Sequence, residues 1–251
     1  MTRNRFTQIG LDRLVRLAWL EKASCLALAG NDATSIKRIL QGDLMGNFRS
    51  TNTDARGSID KTITILRKVW LTVPSELESL RVQGLELLNR LPQRDHLPIH
   101  WGMVTAVYPF WSEVAAQTGR LLRLQGLASA AQVQRRIREQ YGERETVSRA
   151  ARRVLRSYLD WGVLQGKKEK GVYEADGIWL IDEPGVIAWL FEALLRSRKD
   201  SVMPLKELFS RPDLFPFRIK SMPGGLLAAG DLPGIEIFRQ GLDEELVTIK
   251  V

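Results

Sequence analysis

Apolar residues recur every third or fourth position over most of this chain, the spacing of amphipathic helices. Leu11, Leu14, Val15, Ala18 and Cys25 share one side of a helix predicted over 11–28, which Gly30 ends. Asp32 to Ser35 offers N-caps for a second helix running to about Leu44. Phe48 to Asp54 reads as a loop. A third helix opens at Ser58 and turns Ile63, Ile65, Leu66 and Val69 inward. Pro74 ends it and starts a fourth, which runs to Leu91. Pro92 to Pro98 is a break, and the helical spacing resumes from Ile99 to about Leu124. Pro109 demands a kink or a fresh start there. That segment carries Trp101, Tyr108, Phe110 and Trp111 with no basic residues interleaved, so it reads as core rather than as a platform for stacking bases.

Between 120 and 170 two shorter periodic runs flank a turn. Ala130, Val133, Ile137 and Tyr141 line one helix, and Gly142 is placed to cap it in the left-handed region. Gly142 to Glu145 is the turn. A second helix is predicted from an N-cap at Thr146, with Val147, Ala151, Val154, Leu155 and Tyr158 inward. Ser148, Arg149, Arg152, Arg153, Arg156 and Asp160 fall on the opposite face. The order is that of a helix-turn-helix, whose second helix enters the major groove. Gly162 to Leu164, a tip from Gly166 to Gly171 and then Val172-Tyr173 predict a β-hairpin wing bearing Lys167, Lys168 and Lys170.

The remaining stretch mixes short elements. A strand is expected over 177–181, a turn over 182–185 and a helix over 186–195, with Trp189, Leu190, Ala193 and Leu194 inward. Arg196 to Asp200 reads as a linker. A short helix over 205–209, a turn over 212–216, and a second helix over 219–229 weakened by Pro223-Gly224-Gly225 come next. Residues 235–251 alternate around Gly241 as a terminal hairpin. The expected fold class is mainly α. Its expected parts are a helical bundle (1–118), a winged helix-turn-helix (119–199) and a small α+β, winged-helix-like C-terminal module (200–251).

Charge sharpens this picture. The chain carries a formal +8, and residues 120–170 alone carry thirteen basic against five acidic side chains, also +8. The stretches on either side cancel, and the last, 171–251, is acidic at −4. Basicity gathered in one compact unit is the electrostatic footprint of a polyanion reader. Four arginines on one helical stripe repel one another unless an anion sits before them, and guanidinium suits bidentate contact with phosphate or guanine. Arg135, Arg136 and Arg144 join the candidate set from the first helix and the turn. Residues 1–10, with Arg3 and Arg5, read as a mobile arm.

Other chemistry is sparse. No apolar run reaches membrane-spanning length, and the first ten residues lack the apolar region of a signal peptide, so a cytoplasmic protein is expected. The single Cys25 has no partner for an intramolecular disulfide and reads as a small buried hydrophobe. His96 and His100 are separated by Pro98, which argues against a shared helical face and a metal site. No phosphate-binding loop, dinucleotide fingerprint or nucleophile elbow occurs. No catalytic residue, cofactor, metal or small-molecule substrate is therefore expected.

The succession of "VWLTVPSELESLRVQGLELL", "AVYPFWSEVAAQTGRLLRL" and "RETVSRAARRVLRSYLDWGVL" resembles the BrxA family of BREX phage-defence systems. The resemblance covers residues 1 to about 200 as an arrangement of helices and carries no catalytic signature. It implies a small, mostly helical, DNA-binding accessory protein without enzymatic activity, working beside other subunits of a defence system. Three functions compete on the residues. The first is a double-stranded DNA binder of weak sequence preference. The second is an adaptor whose arginine stripe docks an acidic protein. The third is a transcriptional repressor, which requires a dimer and half-sites roughly 34 Å apart.

Overall fold

The structure, a computed structural model, describes residues 5–46, 53–228, 234–240 and 244–250. It is mainly helical, with eleven α-helices and three small sheets among the described residues. The N-terminal part consists of α1 (Leu17–Leu28), α2 (Ala33–Met45), α3 (Thr53–Trp70) and α4 (Glu78–Arg90). Asp32 caps α2 by accepting from the amides of Thr34 and Ser35, as the sequence suggests. The first helix starts six residues later than its periodicity implies. Leu11 and Val15 are buried, but they lie in non-helical chain, because Val15, Arg16 and Leu17 are tied to another part of the molecule described below. The helix docks through Leu20, Ala23 and Ser24, and Cys25, off that face, is exposed, not buried.

Two helices follow in the interior, α5 (Leu97–Val107) and α6 (Pro109–Gln125), broken at Tyr108 where Pro109 begins the second. Every residue of α5 is buried. A strand β1 (Ala128–Ser129), helices α7 (Ala130–Tyr141) and α8 (Glu145–Asp160), and strands β2 (Leu164–Gly166) and β3 (Val172–Ala175) come next. The antiparallel hairpin β2–β3 takes β1 on its other edge, pairing Ala128 with Tyr173 and Ser129 with Val172. The hairpin is thereby fixed to the start of α7, whose first turn Ser129 caps through the amide of Gln132.

The chain then forms β4 (Trp179–Ile181), α9 (Pro184–Arg196), β5 (Val202–Pro204), α10 (Leu205–Ser210), β6 (Phe217–Ile219), α11 (Gly224–Ala228), β7 (Ile235–Gln240) and β8 (Glu244–Ile249). β4 pairs in parallel with β6, and β5, β8 and β7 form an antiparallel sheet. The expected terminal hairpin is present, and its turn at Gly241 lies outside the described residues, as do most of the loop expected at 48–54 and the first four residues of the expected arm. No helix of the described residues is long and apolar enough to cross a membrane.

One hydrophobic cluster runs from Leu11 to Val247. At its centre α5 packs on α9, and the approach is close because α5 presents Gly102, where an added Cβ would strike the ring of Trp189. A second knot gathers around Trp101. Its ring lies on that of Tyr158 at 4.9 Å and meets Trp111, Trp161, Phe215 and Phe217 edge-on. The aromatic residues of 99–124 are core, as their lack of basic neighbours indicates. Tyr158 also donates its hydroxyl to the carbonyl of Trp111 at 2.8 Å, which locks α8 onto the interior.

Arg5 is no part of a mobile arm. Its guanidinium reaches the carbonyl oxygens of Ala106 and Arg196, the latter at 2.6 Å, and pairs with Glu76 at 3.4 Å. These acceptors at the ends of α5 and α9 need a donor, and Arg5 supplies it.

Candidate nucleic-acid interface

α8 is held from behind and exposed in front. Val147, Ala150, Ala151, Val154, Leu155 and Tyr158 are buried, while Arg149, Arg152 and Arg156 are exposed and Arg153 is half-buried. The spacing i, i+3, i+7 sets Arg149, Arg152 and Arg156 in one stripe along the helix. None of the four guanidiniums makes a hydrogen bond or ion pair with the protein among the described residues. Partial burial, and then the charges of Arg156, Arg13, Arg149 and Arg152, pull Arg153 below the usual arginine range. The helix opens with Glu145, which complements its dipole, and Arg144 rather than Thr146 holds the N-cap position.

Other expected contact residues separate into free and committed ones. Ser148 is buried, not exposed. It lies within 3.4 Å of an Arg138 guanidinium nitrogen, which donates to its hydroxyl. The reason is that α7 packs against this first turn of α8. Arg135 is exposed and pairs loosely with Glu139 at 3.7 Å. Arg136 is half-buried without an ion partner among the described residues. Arg144 is exposed and donates to the carbonyl of Tyr141 at 3.1 Å. Gly142 does have positive φ (95°), but its ψ of 153° is extended rather than left-handed helical, so the turn leaves α7 abruptly. At the hairpin tip Lys167 is tied across the strands to Glu174 at 2.8 Å. Lys168 and Lys170 are exposed and unpaired among the described residues.

Asp160 is exposed, as its helical phase implies, yet its carboxylate is committed to the fold. It accepts from the amide of Leu17 at 3.3 Å and pairs with Arg16 at 3.7 Å. Nearly one turn earlier Ser157 accepts from the amide of Val15 at 3.0 Å, and Trp161 Nε1 donates to the carbonyl of Val15 at 2.9 Å. The non-helical segment before α1 is thus strapped at Val15–Leu17 to the C-terminal end of α8. No local pattern in the sequence announces these contacts, which join residues more than 140 positions apart.

The two histidines do come together. Pro98 lies in the first turn of α5, where a missing N–H costs nothing, so the helix passes through it and the amide of His100 still bonds the carbonyl of His96. Both rings then close on Glu21 of α1. His96 Nδ1 lies 2.5 Å from one carboxylate oxygen and His100 Nε2 lies 2.7 Å from the other. The donor atoms of Glu21, His96 and His100 fall within 4.8 Å of one another, a set of the kind that holds zinc.

The surroundings of this set decide its chemistry. Trp70 Nε1 donates to His100 Nδ1 at 3.1 Å, and an indole N–H can only donate. His100 Nδ1 is therefore the acceptor, and its proton sits on Nε2, pointing at Glu21 rather than offering a lone pair to a metal. His96 Nε2 faces the carbonyl of Leu91 at 2.9 Å, so both its nitrogens face acceptors. Full burial holds His100 below the usual histidine range, with the Glu21 carboxylate opposing. Burial acts to raise Glu21, but the bonds and charge of His100 and His96 outweigh it and hold it low. The trio is a hydrogen-bonded clasp between α1 and α5, beside a cleft of about 500 Å³ lined also by Arg16, Arg94, Asp160 and Trp179.

No protein-family model, curated protein or solved structure matches this chain.

Proposed function

We propose that this protein binds double-stranded DNA without catalysing a reaction, with α8 as the element that enters the groove. The observation that carries this reading is the row of four guanidiniums on α8 with no partner among the described residues. Clustered like charges repel, and an external anion placed before them relieves that repulsion. Here Arg149, Arg152 and Arg156 lie on a helix whose back is locked into the core, so the helix that presents them is fixed in place. The order β1, α7, α8, β2, β3 with an antiparallel hairpin supports reading the unit as a winged helix-turn-helix, α8 being its recognition helix and the β2–β3 tip its wing. Lys168 and Lys170 then lie at hand for phosphate.

Arginine without accompanying exposed Asn or Gln on the stripe favours phosphate contact over base reading, and hence weak sequence preference. The setting, an accessory protein working with other subunits of a cytoplasmic anti-phage system, rests on the resemblance of the quoted segments to the BrxA family. The adaptor reading keeps the same stripe but gives it an acidic protein. Burial of Trp101, Phe110 and Trp111 takes away the aromatic surface that such an adaptor would use. Fluorescence anisotropy of a labelled random-sequence duplex, titrated with the full chain at several salt concentrations, tests the reading. Affinity that falls steeply with salt is expected. Absence of binding at about 50 mM salt, with an acidic partner protein captured instead, transfers the stripe to the adaptor reading.

A further inference from the structure

The strap beside α8 carries its own cation. Val15 is opposite Ser157 and Leu17 is opposite Asp160, so the strap and the helix run in the same direction. An extended chain advances about 3.3 Å per residue and a helix about 1.5 Å. Two residues toward the N-terminus on the strap therefore match about four on the helix, which brings Arg13 alongside Arg153. The charge of Arg13 is among those that pull Arg153 below its ordinary range, which agrees with this placement. The strap is not free to swing away, because both the N–H and the C=O of buried Val15 are bonded to side chains at the end of α8. Gly10 allows the chain to enter this path. It has φ of 61°, and an added Cβ would lie 2.7 Å from the ring of Tyr108.

We infer that the strap is a second wall of the anion-binding surface, with Arg13 contacting the sugar–phosphate backbone that borders the groove occupied by α8. This rests on the reading of α8 as a DNA-binding helix and extends it to a segment far away in sequence. Arg13 is about a quarter exposed, and its one ion partner among the described residues is the adjacent Asp12 at 3.1 Å. Arg13 Nη1 donates both to the Asp12 carbonyl at 2.8 Å and to its carboxylate, and the half-exposed carboxylate is the weaker, local tie, so a phosphate can replace it as the partner. Arg16 does not belong to the surface in this way, since Asp160 holds it while also accepting from the first amide of α1.

The experiment uses the full chain, a labelled duplex and a salt series from about 50 to 200 mM, with Arg13→Gln, Arg13→Lys, Asp12→Asn and the double variant Arg152→Ala/Arg156→Ala. Thermal melts check that each variant folds. Arg13→Gln is expected to lower the slope of log affinity against log salt by about one unit, and Arg13→Lys to restore it. Asp12→Asn, which takes the carboxylate from Arg13 while leaving its bond to the carbonyl of residue 12, is expected to tighten binding severalfold at low salt. Should Arg13→Gln and Asp12→Asn both bind like the parent while the α8 double variant is weakened, the strap inference is overturned and the reading of α8 stands. Should the α8 double variant also bind like the parent, the reading of α8 falls and the strap inference falls with it.

Discussion

The amide of Val15 donates to the hydroxyl of Ser157 at 3.0 Å, and the same hydroxyl donates to the carbonyl of Arg153 at 3.2 Å. One buried oxygen therefore satisfies the strap and the helix at once. Ser157→Ala leaves the Val15 N–H buried without a partner, which costs about 1–3 kcal/mol. Chemical denaturation of parent and variant measures this directly. A change under about half a kcal/mol would mean that the strap is not held there.

The cationic residues of the interface divide by whether the protein already uses them. Lys168 and Lys170 are unpaired among the described residues, whereas Lys167 is engaged by Glu174. Lys168→Ala/Lys170→Ala is expected to reduce the salt slope by roughly two units, about 0.9 for each phosphate no longer neutralised. Lys167→Ala is expected to change it by less than either single lysine. Equal effects at all three positions in salt titrations would refute the division.

On α8 the expected pattern is uniform weakening. Arg152→Ala/Arg156→Ala should bind unrelated duplexes less tightly to the same degree, because phosphates carry no sequence. A loss confined to one preferred sequence, worth about 1–3 kcal/mol per base pairing, would show that these arginines read bases. Competition among duplexes of different sequence separates the outcomes.

Acid should weaken the protein in two stages that trace to the clasp. His100 is held below its ordinary value of 6.5 by burial, so the unfolded chain takes up its proton first. Its contribution is complete above about pH 6.5 and fades as pH falls below that. Glu21 is held below its ordinary 4.5 despite burial, by the bonds and charge of His100 and His96, so its contribution is complete above 4.5 and is lost further into acid. Stability measured by denaturant from about pH 8 down to about pH 3 should therefore be level at first and then decline. His100→Asn should flatten the limb between about 6.5 and 4.5, and an unchanged profile in that variant would dissociate the decline from His100.

The tautomer set by Trp70 also has a consequence for metal affinity. With the Trp70 donor in place, His100 Nε2 carries a proton and does not ligate. Trp70→Phe removes that donor and lets the proton move to Nδ1, so zinc affinity should appear, dependent on His96. A zinc-indicator competition on the parent, on Trp70→Phe and on Trp70→Phe/His96→Ala reads it out. Zinc held by the parent and released by His96→Ala would overturn the tautomer assignment.

The positions of α2, α5, α6, α7 and α8 were legible because each is a local periodicity bounded by a local signal, such as Asp32 before α2 or Pro109 at the start of α6. The segregation of Arg149, Arg152 and Arg156 was legible for the same reason, since a helix of known phase fixes which side chains share a face. Tertiary packing decided the rest. Ser148 has the phase of an exposed residue but lies under α7, and Leu11 and Val15 have helical spacing but belong to non-helical chain, where Val15 is tied to the end of α8. Glu21 meets His96 and His100 across some 75 positions, and Trp70 then sets the proton of His100. Periodicity records only neighbours within a turn or two of the chain. Contacts between distant segments depend on how whole helices dock, and it is there that the clasp and the strap were decided.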